Sequence, residues 1–383
     1  MTESTVRQLS ELEEAAAVPV PNADEVASRF PVSQNPTPAS DEERAQALRD
    51  LDFGTTFSDH LAIEAWNPEE GWHGRSVEAY APLALDPSAA VLHYGQEIFE
   101  GLKAYRWADG SVWTFRPTFN AARMNQSAVR MAMPSLPVED FLGSIVQLVR
   151  VDANWVPSIP DSALYLRPMM IASEPFLGVR PAREYLYLVI ASPVGPYFKG
   201  GLKPVSIWVS TDYHRAAPGG TGAAKTGGNY AASLLPQQLA AQQGFDQVCY
   251  LDAATNSVLE ELGGMNVFVR RADGTVLTPA LSGSILEGGT RSAIMQLLAD
   301  RGVPVTETAL SLAELVAGIE AGEITEMFAC GTAAVVTPIG RIAGDGFDFT
   351  LPGTELTAAI HDELGGIQRG LVPDRHGWMY RLV

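Results

Sequence analysis

Gly219-Gly-Thr-Gly-Ala-Ala-Lys225-Thr-Gly-Gly-Asn229-Tyr230 crowds five glycines around one of the chain's four lysines. Residues 205–210 ahead of it read as a strand, and residues 230–243 behind it have helical composition. Glycine lets backbone come close to a ligand. A lysine among small residues loses the hydration that favours its ammonium form, which frees the amine for the nucleophilic chemistry a Schiff base needs. For an arbitrary lysine the exposed, solvated reading is far commoner. A rival with its own mechanism is the phosphate-binding P-loop: Gly, four residues, Gly, Lys, then Ser or Thr. Residues 219–226 nearly match it, but Ala224 replaces the second glycine. Val248-Cys-Tyr-Leu-Asp252 imitates a Walker B strand only as any apolar strand ending in Asp would.

Outward from the loop, 383 residues exceed one ordinary core, since domains hold roughly 100–200 residues, so two are expected. Residues 1–50 mix acidic and polar side chains with scattered prolines and show no sustained period, which reads as an extension draped on the surface. Residues 51–196 form a first domain, 197–204 a glycine- and lysine-bearing linker, and 205–383 a second domain that would carry the cofactor. Within the first, 102–115 reads as a hairpin turning at Ala108-Asp-Gly-Ser111, and a helix follows Pro117. Arg116, Arg123 and Arg130, seven apart, share one face of that helix and are expected to be exposed. A second helix spans 141–151, with strands at 163–171 and 185–192. In the second domain strands at 247–251, 266–270 and 276–277 precede a helix at 291–300.

Composition narrows the partners. Hydrophobic residues make up 46% against 19% charged, the profile of a globular chain with a large core. With 26 basic and 45 acidic side chains the net charge is -19, which argues against nucleic acid and anionic membrane, both of which need basic patches. An anionic cofactor would have to be held by a few arginines and backbone N–H groups. Cys249 and Cys330, far apart, imply neither a disulfide framework nor a metal cluster, and no metal is expected. No membrane span or secretory signal is visible, and a reducing, cytoplasmic setting is expected.

Three further stretches can carry chemistry. Gly288-Gly289-Thr290-Arg291 before a helix is an anion site in outline, although such turns also start helices that bind nothing. Cys330-Gly331-Thr332-Ala333 offers a hydroxyl and amides between apolar runs, and alone would be an ordinary turn. Glu260 and Glu261 precede the small-residue run ending at Asn266, and one carboxylate facing a ring nitrogen would hold a pyridinium proton.

Together the segments Leu92-His-Tyr-Gly95, Phe99-Glu-Gly101, Phe115-Arg-Pro117, Tyr165-Leu-Arg-Pro168 and Ser192-Pro-Val-Gly-Pro-Tyr197 resemble the branched-chain amino-acid aminotransferases. The lysine loop and residues 261–268, 286–291 and 326–332 extend that likeness, which covers about residue 53 to the end. The resemblance implies a two-domain α/β (α+β) fold type IV enzyme with a smaller N-terminal domain and a larger pseudo-barrel domain. It implies pyridoxal 5'-phosphate as cofactor, Lys225 as the catalytic Schiff-base lysine, Tyr230 on the phenolate oxygen and Glu261 on the ring nitrogen. Arg123, Leu286, Gly289, Thr290 and Thr332 would complete the cofactor site, with Arg116 the alternative to Arg123. Phe53, Tyr94, Phe99, Tyr165 and Tyr197 would line the substrate side-chain pocket, although such aromatics could simply be core. Arg167 would take the side-chain carboxylate of glutamate, and backbone around Thr332 and Ala333 the α-carboxylate. It further implies amino-acid and 2-oxo-acid substrates and a homodimer. Mammalian members carry Cys-x-x-Cys just after this turn, where this chain has Ala334 and Thr337, so thiol regulation of that kind is not expected.

Overall fold

The computed structural model describes residues 9–195, 202–333 and 335–383. The described residues form two compact units, one of 10–195, 224–227 and 366–383, the other of 9, 202–223, 228–333 and 335–365. The four residues around Lys225 thus belong with the first unit, although the rest of the glycine loop lies in the second.

The first unit is built on an antiparallel sheet. Its strand order runs Met379–Arg381, Val112–Phe115, Leu102–Arg106, Ala163–Ala172, Tyr185–Val194, His60–Asn67 and Gly71–Ala79, with Glu97–Phe99 also paired to Ala163–Ala172. One face packs on helices Pro117–Arg130 and Val138–Val151, whose apolar residues recur three and four apart. In the second helix Phe141, Leu142, Ile145, Val146, Leu148 and Val149 are all buried, so the helix is fixed by its packing. The first helix opens on Pro117, which needs no N–H there.

Two expectations are corrected in this unit. Residues 11–47 hold three short helices, Glu11–Ala16, Ala23–Ala27 and Asp41–Ala47, and Val26, Ala27 and Phe30 enter the core. Ser10 with Glu13 and Ser40 with Glu43 form capping boxes that hold the first and third. The supposed exposed arginine face is not exposed at Arg123, which is only 4% accessible. Arg116 sits at a left-handed φ of 48°, with its guanidinium over Phe119 and Trp378.

The second unit carries a mixed sheet in the order Leu259–Leu262, Gln247–Leu251, Val205–Ser210, Val335–Gly344, Ile324–Gly331, Asn266–Arg271, Val276–Pro279 and Val305–Thr308. Val205–Ser210 runs parallel to both of its neighbours. Helices Gly227–Gln242, Gly289–Asp300 and Leu312–Glu320 follow strands of this sheet in the chain. The expected mixed α/β class therefore holds. No described helix is long and apolar enough to cross a membrane.

Candidate active site

In the first unit the lysine is held by its own backbone. Lys225 N–H donates to Ser127 Oγ at 2.9 Å, and its carbonyl accepts from Phe99 N–H at 2.9 Å. Its Nζ lies 4.6 Å from the centre of the Phe99 ring. Glu97 braces the following turn, accepting from Thr226 Oγ1 at 3.2 Å and from Gly227 N–H. A Cβ at Gly227 would stand 2.6 Å from that carboxylate oxygen, so glycine is needed for the approach. Burial pushes the Glu97 carboxyl up, opposed by those hydrogen bonds and by the Arg167 charge.

Arg123 reaches inward from its helix to Glu100, with Nε and Nη2 each 2.8 Å from one carboxylate oxygen. Asn120 Nδ2 donates to the same group at 2.8 Å. Burial drives the Glu100 carboxyl upward, but the Arg123 charge and hydrogen bonds, the Lys225 charge and Asn120 outweigh it and leave it below the ordinary range. The likeness of Phe99-Glu-Gly101 drew attention to the segment, yet nothing local announced that its acid would orient an arginine from another helix.

The aromatic candidates of this unit are placed differently from one another. Arg167 lies over Phe99 at 4.6 Å and donates from Nη2 to Tyr165 Oη at 3.0 Å. Tyr165 meets Phe53 edge-on at 5.0 Å, and Phe53 is half exposed. A Cβ on Gly101 would collide with the Tyr165 hydroxyl, which explains that glycine. Tyr94 is exposed, with its hydroxyl on the Leu177 carbonyl and its ring beside His93. Tyr197 lies outside the described residues.

In the second unit the remaining candidates converge. Glu261 Oε1 accepts from Leu286 N–H at 2.8 Å, while Asn266 Nδ2 donates to the Leu286 carbonyl at 3.0 Å. The loop before helix Gly289–Asp300 is thereby pinned on both sides. Gly288, at the helix N-cap, receives no side-chain cap, and a Cβ there would strike Asn266 Oδ1. Gly289 and Thr290 form the first turn of that helix, where backbone N–H groups and the dipole favour an anion. Gly331, just before Thr332 and Ala333, packs so near Gly264 that a Cβ would sit 3.3 Å from its carbonyl oxygen, and the Tyr230 ring lies against Gly264 from another side.

Arg215 was missed. It is buried, its Nη1 stands 3.0 Å from Glu261 Oε1, and it donates to the Ser284 carbonyl at 3.0 Å. It lies in an irregular stretch with no period to mark it, a lone cation before Gly219. Glu260 points elsewhere, accepting from Ser284 Oγ, and burial pushes its carboxyl up. Both acids thus hold the loop before helix Gly289–Asp300, Glu260 at Ser284 and Glu261 at Leu286. Cys249 and Cys330 are both buried, and desolvation pushes each thiol up to about 12.

A sequence model of the amino-transferase class IV family matches residues 97–342. The chain belongs to that family. Among its relatives, the branched-chain-amino-acid aminotransferase of Mycolicibacterium smegmatis is 54% identical over 92% of this chain and 98% of its own. The probable branched-chain-amino-acid aminotransferase of Streptomyces coelicolor is 53% identical over 90% of this chain and 96% of its own. A crystal structure of the Escherichia coli branched-chain amino acid aminotransferase superposes with a TM-score of 0.69 at 27% identity, covering 84% of this chain and 100% of that one.

Proposed function

We propose that this chain transfers the amino group of leucine, isoleucine or valine to 2-oxoglutarate, giving the branched-chain 2-oxo acid and glutamate, with pyridoxal 5'-phosphate as cofactor. The observation that carries this reading is Lys225, locked by Ser127 and Phe99 with its amine on an aromatic face and the Glu100–Arg123 pair nearby. The donor set suits the cofactor: an amine for its aldehyde, a pinned, glycine-led helix start for its phosphate, and a buried carboxylate for its ring nitrogen. When bound, the cofactor supplies the electron sink that lets an α-carbon lose its proton.

Lys225 is the base that takes and returns that proton at Nζ. Glu261, oriented by Arg215 and Leu286, keeps a proton facing it, and Tyr230 donates to a phenolate oxygen. Arg123, Gly289, Thr290 and Thr332 hold the phosphate, with Leu286 beside them. Phe53, Tyr94, Phe99, Tyr165 and Tyr197 shape the apolar pocket, Arg167 takes a side-chain carboxylate, and Thr332 and Ala333 hold the α-carboxylate. An apolar pocket separates substrates differing by one methylene by only about 1–3 kcal/mol, so the three branched substrates overlap. A cytoplasmic homodimer is part of this reading, from the family likeness and from two buried, unpaired thiols.

The experiment is direct. Protein incubated with pyridoxal phosphate should be yellow, bleach with borohydride, and yield a labelled peptide at Lys225. Lys225→Ala should fold and lose turnover by a factor of about 10³ or more, given what a positioned proton carrier contributes. Colourless protein, or full activity in that variant, refutes the reading. A half-reaction with D-alanine in place of L-leucine would favour a D-amino-acid aminotransferase, pyruvate release from aminodeoxychorismate would favour the lyase, and ATP binding dependent on Lys225 and Thr226 a P-loop hydrolase.

A further inference from the structure

We propose that Lys103 and Ser192 join Arg167 in an anion subsite that receives the distal carboxylate of a dicarboxylate co-substrate. The proposal rests on the transaminase reading and adds two residues to it. Strand register puts them in place: Lys103 is directly opposite Tyr165, and Tyr165 directly opposite Ser192. Residues opposite one another on antiparallel strands project from the same face, and Arg167, two beyond Tyr165, shares it. The other face belongs to the core, through Leu102, Ala104, Leu164, Leu166 and Ala191.

Two orphaned atoms mark this patch as built for a ligand. Ser192 Oγ is buried with no hydrogen-bond partner among the described residues, in a side chain 4% exposed. Arg167 Nε is buried and equally unpartnered. Buried donors left unmade are costly, and an incoming carboxylate would satisfy both kinds. Lys103 adds a cation in a chain of net charge -19 that has only four lysines. Burial there pushes its ammonium down to about 8, and an arriving anion would offset that penalty.

The position suits a dicarboxylate. The Arg167 guanidinium and Lys225 Nζ each stand 4.6 Å from the centre of the Phe99 ring, so Arg167 lies one aromatic ring from the reactive amine. The nearby acids are both engaged, Glu97 by Thr226 and Gly227 and Glu100 by Arg123 and Asn120. A branched apolar side chain would lie over the Phe99 and Tyr165 rings and leave Arg167 Nε and Ser192 Oγ unmade. One pocket would thus accept both partners of the exchange.

The test compares acids on the holoenzyme. Lys103→Met should raise the KM for 2-oxoglutarate about tenfold, as loss of one charge-assisted hydrogen bond does, with kcat held within about twofold. Ser192→Ala should raise it about threefold, the share of a neutral hydrogen bond. The KM for 4-methyl-2-oxopentanoate should move less than about twofold, because its side chain brings no charge. Calorimetric binding of unreactive glutarate should weaken in parallel while that of 4-methylpentanoate does not, and Lys103→Arg should restore most of the glutarate affinity. Equal losses for both acids, or none, would overturn the subsite. If the wild-type protein turned over neither oxo acid, the transaminase reading would fail and glutarate binding would still decide the subsite. Should Lys103→Met not fold, the near-isosteric Ser192→Ala and Lys103→Arg carry the same comparison.

Discussion

Two carboxylates of the first unit, Glu100 and Glu64, are both fully buried beside an arginine, yet their titration is driven in opposite directions. Glu100 meets Arg123 side-on through two hydrogen bonds, with Asn120 filling a third position and the Lys225 charge nearby. Glu64 has Arg75 Nη2 2.8 Å from Oε1, but neither of its oxygens accepts a well-formed hydrogen bond. Arg75 spends Nε and Nη2 on Asp140, each at 2.9 Å, and Arg29 takes the same acid. Burial, and then the Asp140 charge, push the Glu64 carboxyl up to about 8 against the pull of Arg75 and Arg29. Proximity to a cation is therefore not enough. Orientation, and the number of acids sharing the cation, decide whether a buried carboxylate stays charged.

The most severe way to break the contrast is Arg123→Met. It leaves Glu100 buried without its main partner, a loss of about 3–5 kcal/mol. Urea unfolding at pH 7 should show the full difference from wild type. Because the folded Glu100 carboxyl titrates below its unfolded value, its contribution is present above that unfolded value and fades as pH falls through the folded one. The gap between variant and wild type should therefore narrow in acid. An unchanged midpoint at pH 7 would mean that the pair contributes nothing net.

The opposite result is expected of Glu64→Gln. A raised carboxyl stabilises fully below its unfolded value near 4.5, and the contribution is lost as pH rises through about 8. At pH 9 the glutamine variant should exceed wild type by roughly 1–3 kcal/mol, since a buried, poorly satisfied charge has been removed. At pH 5 the two should melt together. Parallel melting curves at both pH values would show that Glu64 is already neutral or already satisfied.

This contrast also marks what the sequence could reveal. Local signals were readable: the strands at 163–172 and 185–194 announce themselves by branched and aromatic runs, and Lys225 by its glycines. The capping boxes at Ser10–Glu13 and Ser40–Glu43 were equally present, but helices of six and seven residues are too short to show a period. Spacing of seven put Arg123 on a helical face without saying which way that face looks. The direction depends on Glu100, which the fold brings from the short link between strands Glu97–Phe99 and Leu102–Arg106. Arg215 with Glu261, and Glu64 with Asp140, are likewise long-range pairings that no local pattern encodes. The likeness to known aminotransferases supplied roles for the residues in its motifs and was silent on the side chains that orient them.

Glu97 lies between the two extremes and gives the finest test. Like Glu100 it accepts real hydrogen bonds, from Thr226 and Gly227, but like Glu64 its carboxyl is raised, with burial as the leading cause. Glu97→Gln keeps an acceptor oxygen for the Gly227 N–H and discards the charge. If hydrogen bonding is the larger share, stability should fall by only about 0.5–1 kcal/mol. Its contribution as a raised group is full below the ordinary carboxylate value and declines as pH climbs, so the variant should compare better with wild type at pH 8 than at pH 5. Amide exchange at Gly227 reads the same hydrogen bond locally. Exchange faster by more than about tenfold, equivalent to 1.4 kcal/mol, would mean that charge rather than geometry holds the turn beside Lys225.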